Sequence, residues 1–331
     1  MLKRAVTALA AAAALASAPM AQAKELAFAV FVPAASPTVS EIYAPWVEWF
    51  NAQTAEHDVT IKLFPGGTLG RSPLAQAKMV ADGVADLAIT VPSYTPGVYP
   101  DFDMFELPGF AQNVREGSLA VLELFKEGKL KGYEDYYMAS IYTSDAYMLH
   151  TREPVAALSE VSGLKFRVAG KVQTAVVEAL GGVPQAMSAL EMAENIDRGL
   201  LDGAMTDASV AKTFKVAEVA KNHYEAKLGM LVFAIVMNRD VYEDLPDPVK
   251  AVLEESGAYI AEKQIEVYGS AIEANLAAWR AADDHTVVTP SDADRAAIEA
   301  AVAPVLEDVA ASASPGLIEA YRAKLKDIRA R

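Results

Sequence analysis

Short stretches of period two, or of unbroken apolar character, recur along this chain between longer stretches of helical period. The first kind lies at 26–32, 59–64, 85–91, 137–150, 164–168, 183 onward, 200–205, 228–238 and 286–289, and predicts strands. The second lies at about 39–54, 73–83, 115–130, 172–180, 189–198 and 208–224, and predicts helices. Regular alternation of the two predicts an α/β fold with largely parallel sheets. The pattern is tightest from Ser162 to Lys215. There Leu164–Val168 reads as a strand, Val172–Leu180 as a helix stopped by Gly181-Gly182, and Val183 as the start of a second strand. A helix Ala189–Arg198 follows, stopped by Gly199, and Leu200–Met205 reads as a third strand. In such a βαβαβ unit ligands usually sit at the carboxyl ends of the strands. Arg167, Met205, Thr206 and Asp207 fall there. Asp207 has two readings, facing a ligand or capping the helix that begins at Ala208.

Toward the carboxyl end the helical period runs on. Leu245-Pro-Asp-Pro248 signals a helix start, with Asp247 as N-cap and Pro248 in the first turn, and no proline interrupts Val249 to Ala282. One helix over about 247–282 would be near 50 Å long at about 1.5 Å per residue. Sustained a/d heptads are missing, so a coiled coil is disfavoured. Helices at about Asp292–Ala311 and Pro315–Arg329 close the chain. No internal repeat, low-complexity segment or flexible linker is visible.

Charge and cysteine content narrow the setting. Met1–Ala23 has the form of a cleavable signal peptide: Lys3 and Arg4, an apolar run Ala5–Ala16, and the cleavage site Ala21-Gln22-Ala23. That run is too short to span a bilayer, and none that follows is long and apolar enough, so no membrane anchoring is expected. Loss of Lys3 and Arg4 moves the formal charge from -15 to -17. Such an acidic surface argues against nucleic acid and anionic membranes. It does not bar an anionic ligand, because a buried arginine acts at contact distance. The chain has no cysteine, which excludes disulfides and a lipid-modified cysteine anchor. A Gram-negative periplasmic location and a monomer are expected.

Enzyme signatures are absent. The 4 histidines form no H-E-x-x-H or other metal-ligand spacing, and no G-x-S-x-G elbow is present. Pro65-Gly-Gly-Thr-Leu-Gly70 lacks the lysine of a phosphate loop, so its glycines read as turn formers. No cofactor and no metal is expected.

Several segments, in order, resemble the substrate-binding subunit of the TRAP transporters, the tripartite ATP-independent periplasmic carriers of organic acids. They are Pro65–Gly70, Ala85-Asp-Leu-Ala88, Phe105-Glu-Leu-Pro108, Gly163-Leu-Lys-Phe-Arg-Val168, Leu180-Gly-Gly-Val-Pro184, Asp202-Gly203 and Phe233–Asn238. The resemblance covers nearly the whole chain after the signal. It implies a periplasmic-binding-protein-like fold: two α/β lobes around a cleft, bridged by crossing strands and the long helix. The lobes would be 24–145 plus 232–265, and 146–231 plus 266–331. It also implies a ligand carboxylate clamped by Arg167, a planar fork of donors suited to that group, and delivery of the ligand to small and large membrane subunits driven by an ion gradient. Ser93, Tyr94, Ala34 and Ser36 would approach from the first lobe, with Tyr147, Thr206, Asp207, Met205 and Phe233 shaping the rest. Tyr147 stands where sialate-binding relatives carry a second arginine, which argues for a smaller or more apolar acid. A sensory receptor for a kinase or chemoreceptor, and a metal-free hydrolase, are the alternatives.

Overall fold

The computed structural model describes residues 23–331, so the expected signal peptide Met1–Ala23 lies, but for Ala23, outside the described residues. Its strands are, in chain order, β1 (Lys24–Ala29), β2 (Val59–Phe64), β3 (Leu87–Thr90), β4 (Tyr136–Thr143), β5 (Met148–Thr151), β6 (Lys165–Val168), β7 (Val183–Ala186), β8 (Gly203–Thr206), β9 (Asn222–Tyr224), β10 (Val232–Asn238) and β11 (Thr286–Val288). They form two sheets. The first has the order β2-β1-β3-β10-β4, parallel in its first three strands and antiparallel where β10 enters. The second has the order β11-β9-β5-β8-β6-β7, and contains the expected βαβαβ unit as the parallel set β8-β6-β7.

Burial follows from this layering. In β3 every side chain is buried, as expected of a central strand covered on both faces. Phe28, Trp46 and Phe50 pack edge-on or tilted over the first sheet, and Phe166, Val176 and Val177 fill the second lobe.

Two extended crossings join the lobes. The region 137–150 is not one strand, because β4 ends at Thr143 and β5 begins at Met148. The segment between them runs antiparallel to the link from β9 to β10. Leu231 bonds Ser144 by both its amide and its carbonyl, and Tyr147 exchanges backbone bonds with Leu228 and Gly229. Gly229 has φ +85°, and a Cβ there would lie 1.8 Å from the Glu106 carbonyl oxygen, so no larger residue fits this crossing.

The third bridge is the long helix. It runs unbroken from Asp247 to Ala281, α-helical to Lys263, π-helical over Gln264–Tyr268, and α-helical again from Gly269. Asp247 is its first helical residue rather than its cap, and Pro246 precedes it. The carboxylate still complements the positive end of the helix. Trp46 donates its indole N–H to Ser256 at 2.9 Å, and Trp49 stacks on Tyr259, which fixes one half of the helix to the first lobe. Asn275 and Tyr268 bond Ala208 and Asp207 on the second.

Two expectations fail outside the site. The helical pattern 208–224 holds only to Val219, and Asn222–Tyr224 is β9, held between β5 and β11. The last helix, Leu317–Ala330, packs on helix Val114–Lys126 of the first lobe and not on the second. Tyr321 stacks on Phe110, Arg329 pairs with Glu116 and Lys324 with Glu127, so the chain returns to its first lobe before it ends.

Candidate functional site

The site is built where β6 ends. Arg167 is 1 % exposed, and no acidic side chain lies within ion-pair distance of it among the described residues. Its Nε donates to the Met187 carbonyl at 2.9 Å, and Nη2 donates to the Tyr94 hydroxyl at 3.1 Å. Burying a charge without an ionic partner is costly, which marks Arg167 as a candidate ligand-binding group. Tyr94 comes from the first lobe. Its oxygen also accepts the Ala189 amide of the second lobe at 3.2 Å, and its own proton remains free to donate. A Cβ at Gly170 would lie 2.4 Å from the Ser93 carbonyl oxygen, so the lobes touch here and the cleft is shut over the arginine.

The cavity beneath is lined by eight aromatic side chains together with aliphatic ones such as Val32, Ile89 and Leu231 and the small polar Thr38, Ser209 and Thr213. Phe31, Tyr43, Tyr94, Tyr142, Tyr147, Phe214, Phe233 and Tyr268 line it, and Arg167 is the one charged residue among its lining side chains. The space between them measures about 570 Å³ including its mouth. It is a narrow slot.

Each predicted residue can now be placed. Arg167, Tyr94, Tyr147 and Phe233 line the cavity. Burial, and then Asp207, hold the Tyr147 phenol well above its ordinary range, against the pull of Arg167. Phe233 lies parallel to Tyr142 at 5.7 Å. Thr206 is fully buried next to Tyr147 and does not line the cavity.

Asp207 takes the capping reading. It accepts the amides of Ser209 at 2.8 Å and Val210 at 2.9 Å, together with the Tyr268 hydroxyl. Burial pushes its carboxyl up to about 7, against the pull of the Val210 amide and Tyr268. It therefore positions Tyr268 and does not itself face the slot.

Met205, Ser93, Ala34 and Ser36 are corrected. Arg167 pairs with Ala204 across β6 and β8, so Met205 falls on the opposite face of the pleat and packs into the core. The Ser93 hydroxyl is committed to Glu106, whose buried carboxyl is pushed up to about 8. Ala34 is exposed, and the Ser36 hydroxyl accepts the Val39 amide. Thr38 lines the cavity in their place.

Sequence reasoning missed Tyr43, Tyr142, Tyr268 and Gln264. Thr38 and Tyr43 lie in a π-helical segment, Thr38–Tyr43, and Gln264 and Tyr268 lie in that of the long helix. The wider i→i+5 turn brings residues four and five apart to one face, and single π turns recur at functional sites. No propensity pattern marks such a turn in advance.

Comparison with known proteins agrees with this architecture. The family of bacterial extracellular solute-binding proteins, family 7, matches residues 28–313. The chain belongs to that family. Among family 7 proteins it is similar to the C4-dicarboxylate-binding periplasmic protein DctP of Rhodobacter capsulatus, at 26 % identity over 278 residues, 80 % of each chain. Among solved structures it is similar to a TRAP solute-binding protein from a marine metagenome, specific for aromatic acids and in complex with 3-hydroxybenzoate. The TM-score is 0.86, the identity 24 %, and the match covers 93 % of this chain and 99 % of the other. A TRAP solute-binding protein of Rhodoferax ferrireducens, with copurified benzoate, gives 0.83 at 21 % identity, over 92 % and 98 % of the two chains. The chain is thus an extracellular solute-binding protein of family 7 with the fold seen in TRAP solute-binding proteins.

Proposed function

We propose that this protein captures a small aromatic or otherwise apolar monocarboxylate in the periplasm and delivers it to TRAP membrane subunits. One observation carries the reading. Arg167 is a buried cation with no anion of its own, in the wall of a cavity lined by eight aromatic side chains. A carboxylate would take two parallel bonds from the guanidinium and a third from the Tyr94 hydroxyl. A dicarboxylate would leave its second charge unpaired, since no other cation lines the slot. The narrow slot favours a flat ring over a bulky sugar acid.

Closure follows from the same contacts. The anion would join Arg167 of the second lobe to Tyr94 of the first, and so favour the shut state that the membrane subunits would recognise. We propose binding without catalysis, as for the family.

A thermal-shift screen of the exported protein against aliphatic, hydroxy-, keto-, dicarboxylic, aromatic and sugar acids tests the reading. Saturation at 1,000 times the dissociation constant stabilises by roughly 4 kcal/mol, a shift of several degrees for a chain of this length. The expected result is a shift with aromatic monocarboxylates. Silence across all acids, after unfolding and refolding to remove any ligand carried from the host, would overturn it.

A further inference from the structure

The polar groups in the cavity wall are of two chemical kinds. At Arg167 the donors await an anion. Elsewhere the cavity wall presents neutral polar atoms that no protein group engages. Gln264 is 1 % exposed and lines the cavity, yet its Oε1 is fully buried without a hydrogen-bond partner, and its amide nitrogen has no bond among the described residues. A buried amide left unpaired is costly, and natural proteins seldom leave one without a reason. Tyr43 and Tyr142 line the same cavity, and their hydroxyls bond each other. Two hydroxyls sharing one bond keep one proton free to donate and lone pairs free to accept. Gln264 and Tyr43 come from the two π turns, which pack against each other.

The missing partner must satisfy an amide and a phenol pair without charge. A second carboxylate has no cation there, and an ammonium has no anion. A hydroxyl both donates and accepts, so it fits whichever way the amide of Gln264 is turned. Eight rings line the same cavity, with Phe233 lying parallel to Tyr142.

We propose that Gln264 and the Tyr43–Tyr142 pair form a second polar subsite for a ring hydroxyl, so that the ligand is a hydroxylated aromatic monocarboxylate. The inference rests on the proposed function, in which Arg167 holds the carboxylate. Gln264 is then a specificity-determining residue. A site built to bond a hydroxyl discriminates against the analogue that lacks it, because its own buried groups are left unpaired.

Calorimetry on the exported protein, freed of bound ligand, tests this with benzoate and 2-, 3- and 4-hydroxybenzoate. At least one hydroxybenzoate should bind at least about tenfold tighter than benzoate. Gln264→Leu and Gln264→Met, the second keeping an unbranched chain, should each lower that ratio to about threefold or less, whatever happens to benzoate itself. Absence of the preference in the native sequence, or its survival in both variants, would overturn the proposal. An aliphatic acid run in parallel separates the two readings. If it alone binds, and Arg167→Ala abolishes that binding, the hydroxyl subsite falls while the carboxylate clamp stands. If no acid binds, both fall.

Discussion

The second lobe buries two polar clusters, and they have opposite logic. One is Arg167 with the phenols around it. The other is a chain of three histidines beside Trp279. His150 Nε2 faces the Thr206 carbonyl at 3.3 Å, which requires a proton on Nε2 and leaves Nδ1 as an acceptor. His223 then donates from Nδ1 to His150 at 2.7 Å, and accepts on Nε2 from His285 Nδ1 at 2.9 Å. Each nitrogen inside this chain has a partner, and Trp279 stacks on His223 at 4.1 Å. Burial holds His150 down at about 4, and burial together with His150 holds His223 down at about 2, so the chain is neutral. The histidine chain is complete within the protein and acts as a brace between β5, β9 and the long helix. The arginine cluster is incomplete, and that deficit is what supports the proposed site. Polarity and burial are shared by both, so only the hydrogen-bond inventory separates a structural cluster from a binding one.

Substitutions should therefore separate binding from stability. Arg167→Ala has the largest expected effect: binding of the cognate acid weakens by about 2–5 kcal/mol. The unliganded protein should unfold in urea at nearly the native midpoint or above it, since an unpaired buried charge has been removed. A large loss of stability with little loss of affinity would invert the comparison. His223→Leu should do the reverse. It strands acceptor Nδ1 of His150 and the His285 donor, and should lower unfolding free energy by roughly 1–3 kcal/mol while the dissociation constant moves less than about threefold.

The smallest effect comes from pH and sharpens the same contrast. Histidines whose folded pKa is depressed favour folding above the unfolded value near 6.5, and that contribution is lost as pH falls toward the folded values. Buried Asp103 and Glu106, pushed up to about 6 and about 8, act in the opposite sense. Both carboxyls are common to native and variant chains and cancel in the difference between them. The destabilisation caused by His223→Leu should thus shrink by about 1–2 kcal/mol between pH 7.5 and pH 5.0. A constant difference across that range would show that His223 titrates in the fold as it does in the unfolded chain.

Much of this was legible in the residues. Alternation and glycine punctuation mark β2, β6 and the βαβαβ unit, and proline-free length marks the long helix. Arg167, Tyr94, Tyr147 and Phe233, singled out from the sequence, all line the one cavity. What failed did so for local reasons. Met205 and Arg167 belong to opposite faces of one pleat, and that parity depends on the register between β6 and β8, which spacing alone does not set. Asp207 had two partners to choose between, and the helix amides took it. Ala34, Ser36 and Thr38 share one loop, and the π turn that follows decides which of them turns inward. Tyr43 and Tyr142 lie 99 residues apart and meet only through the tertiary fold. Gln264 looks like an ordinary residue of a long helix until the π turn sets it into the cavity wall.

The most direct test of the two proposed subsites is a crystal structure with the tightest-binding acid of the screen. Both carboxylate oxygens should lie about 2.7–2.9 Å from guanidinium nitrogens of Arg167, with the ring between Phe233 and Tyr147 and its hydroxyl at Gln264. A carboxylate seated at Gln264, or a ligand held while Arg167 keeps only its protein partners, would contradict the account.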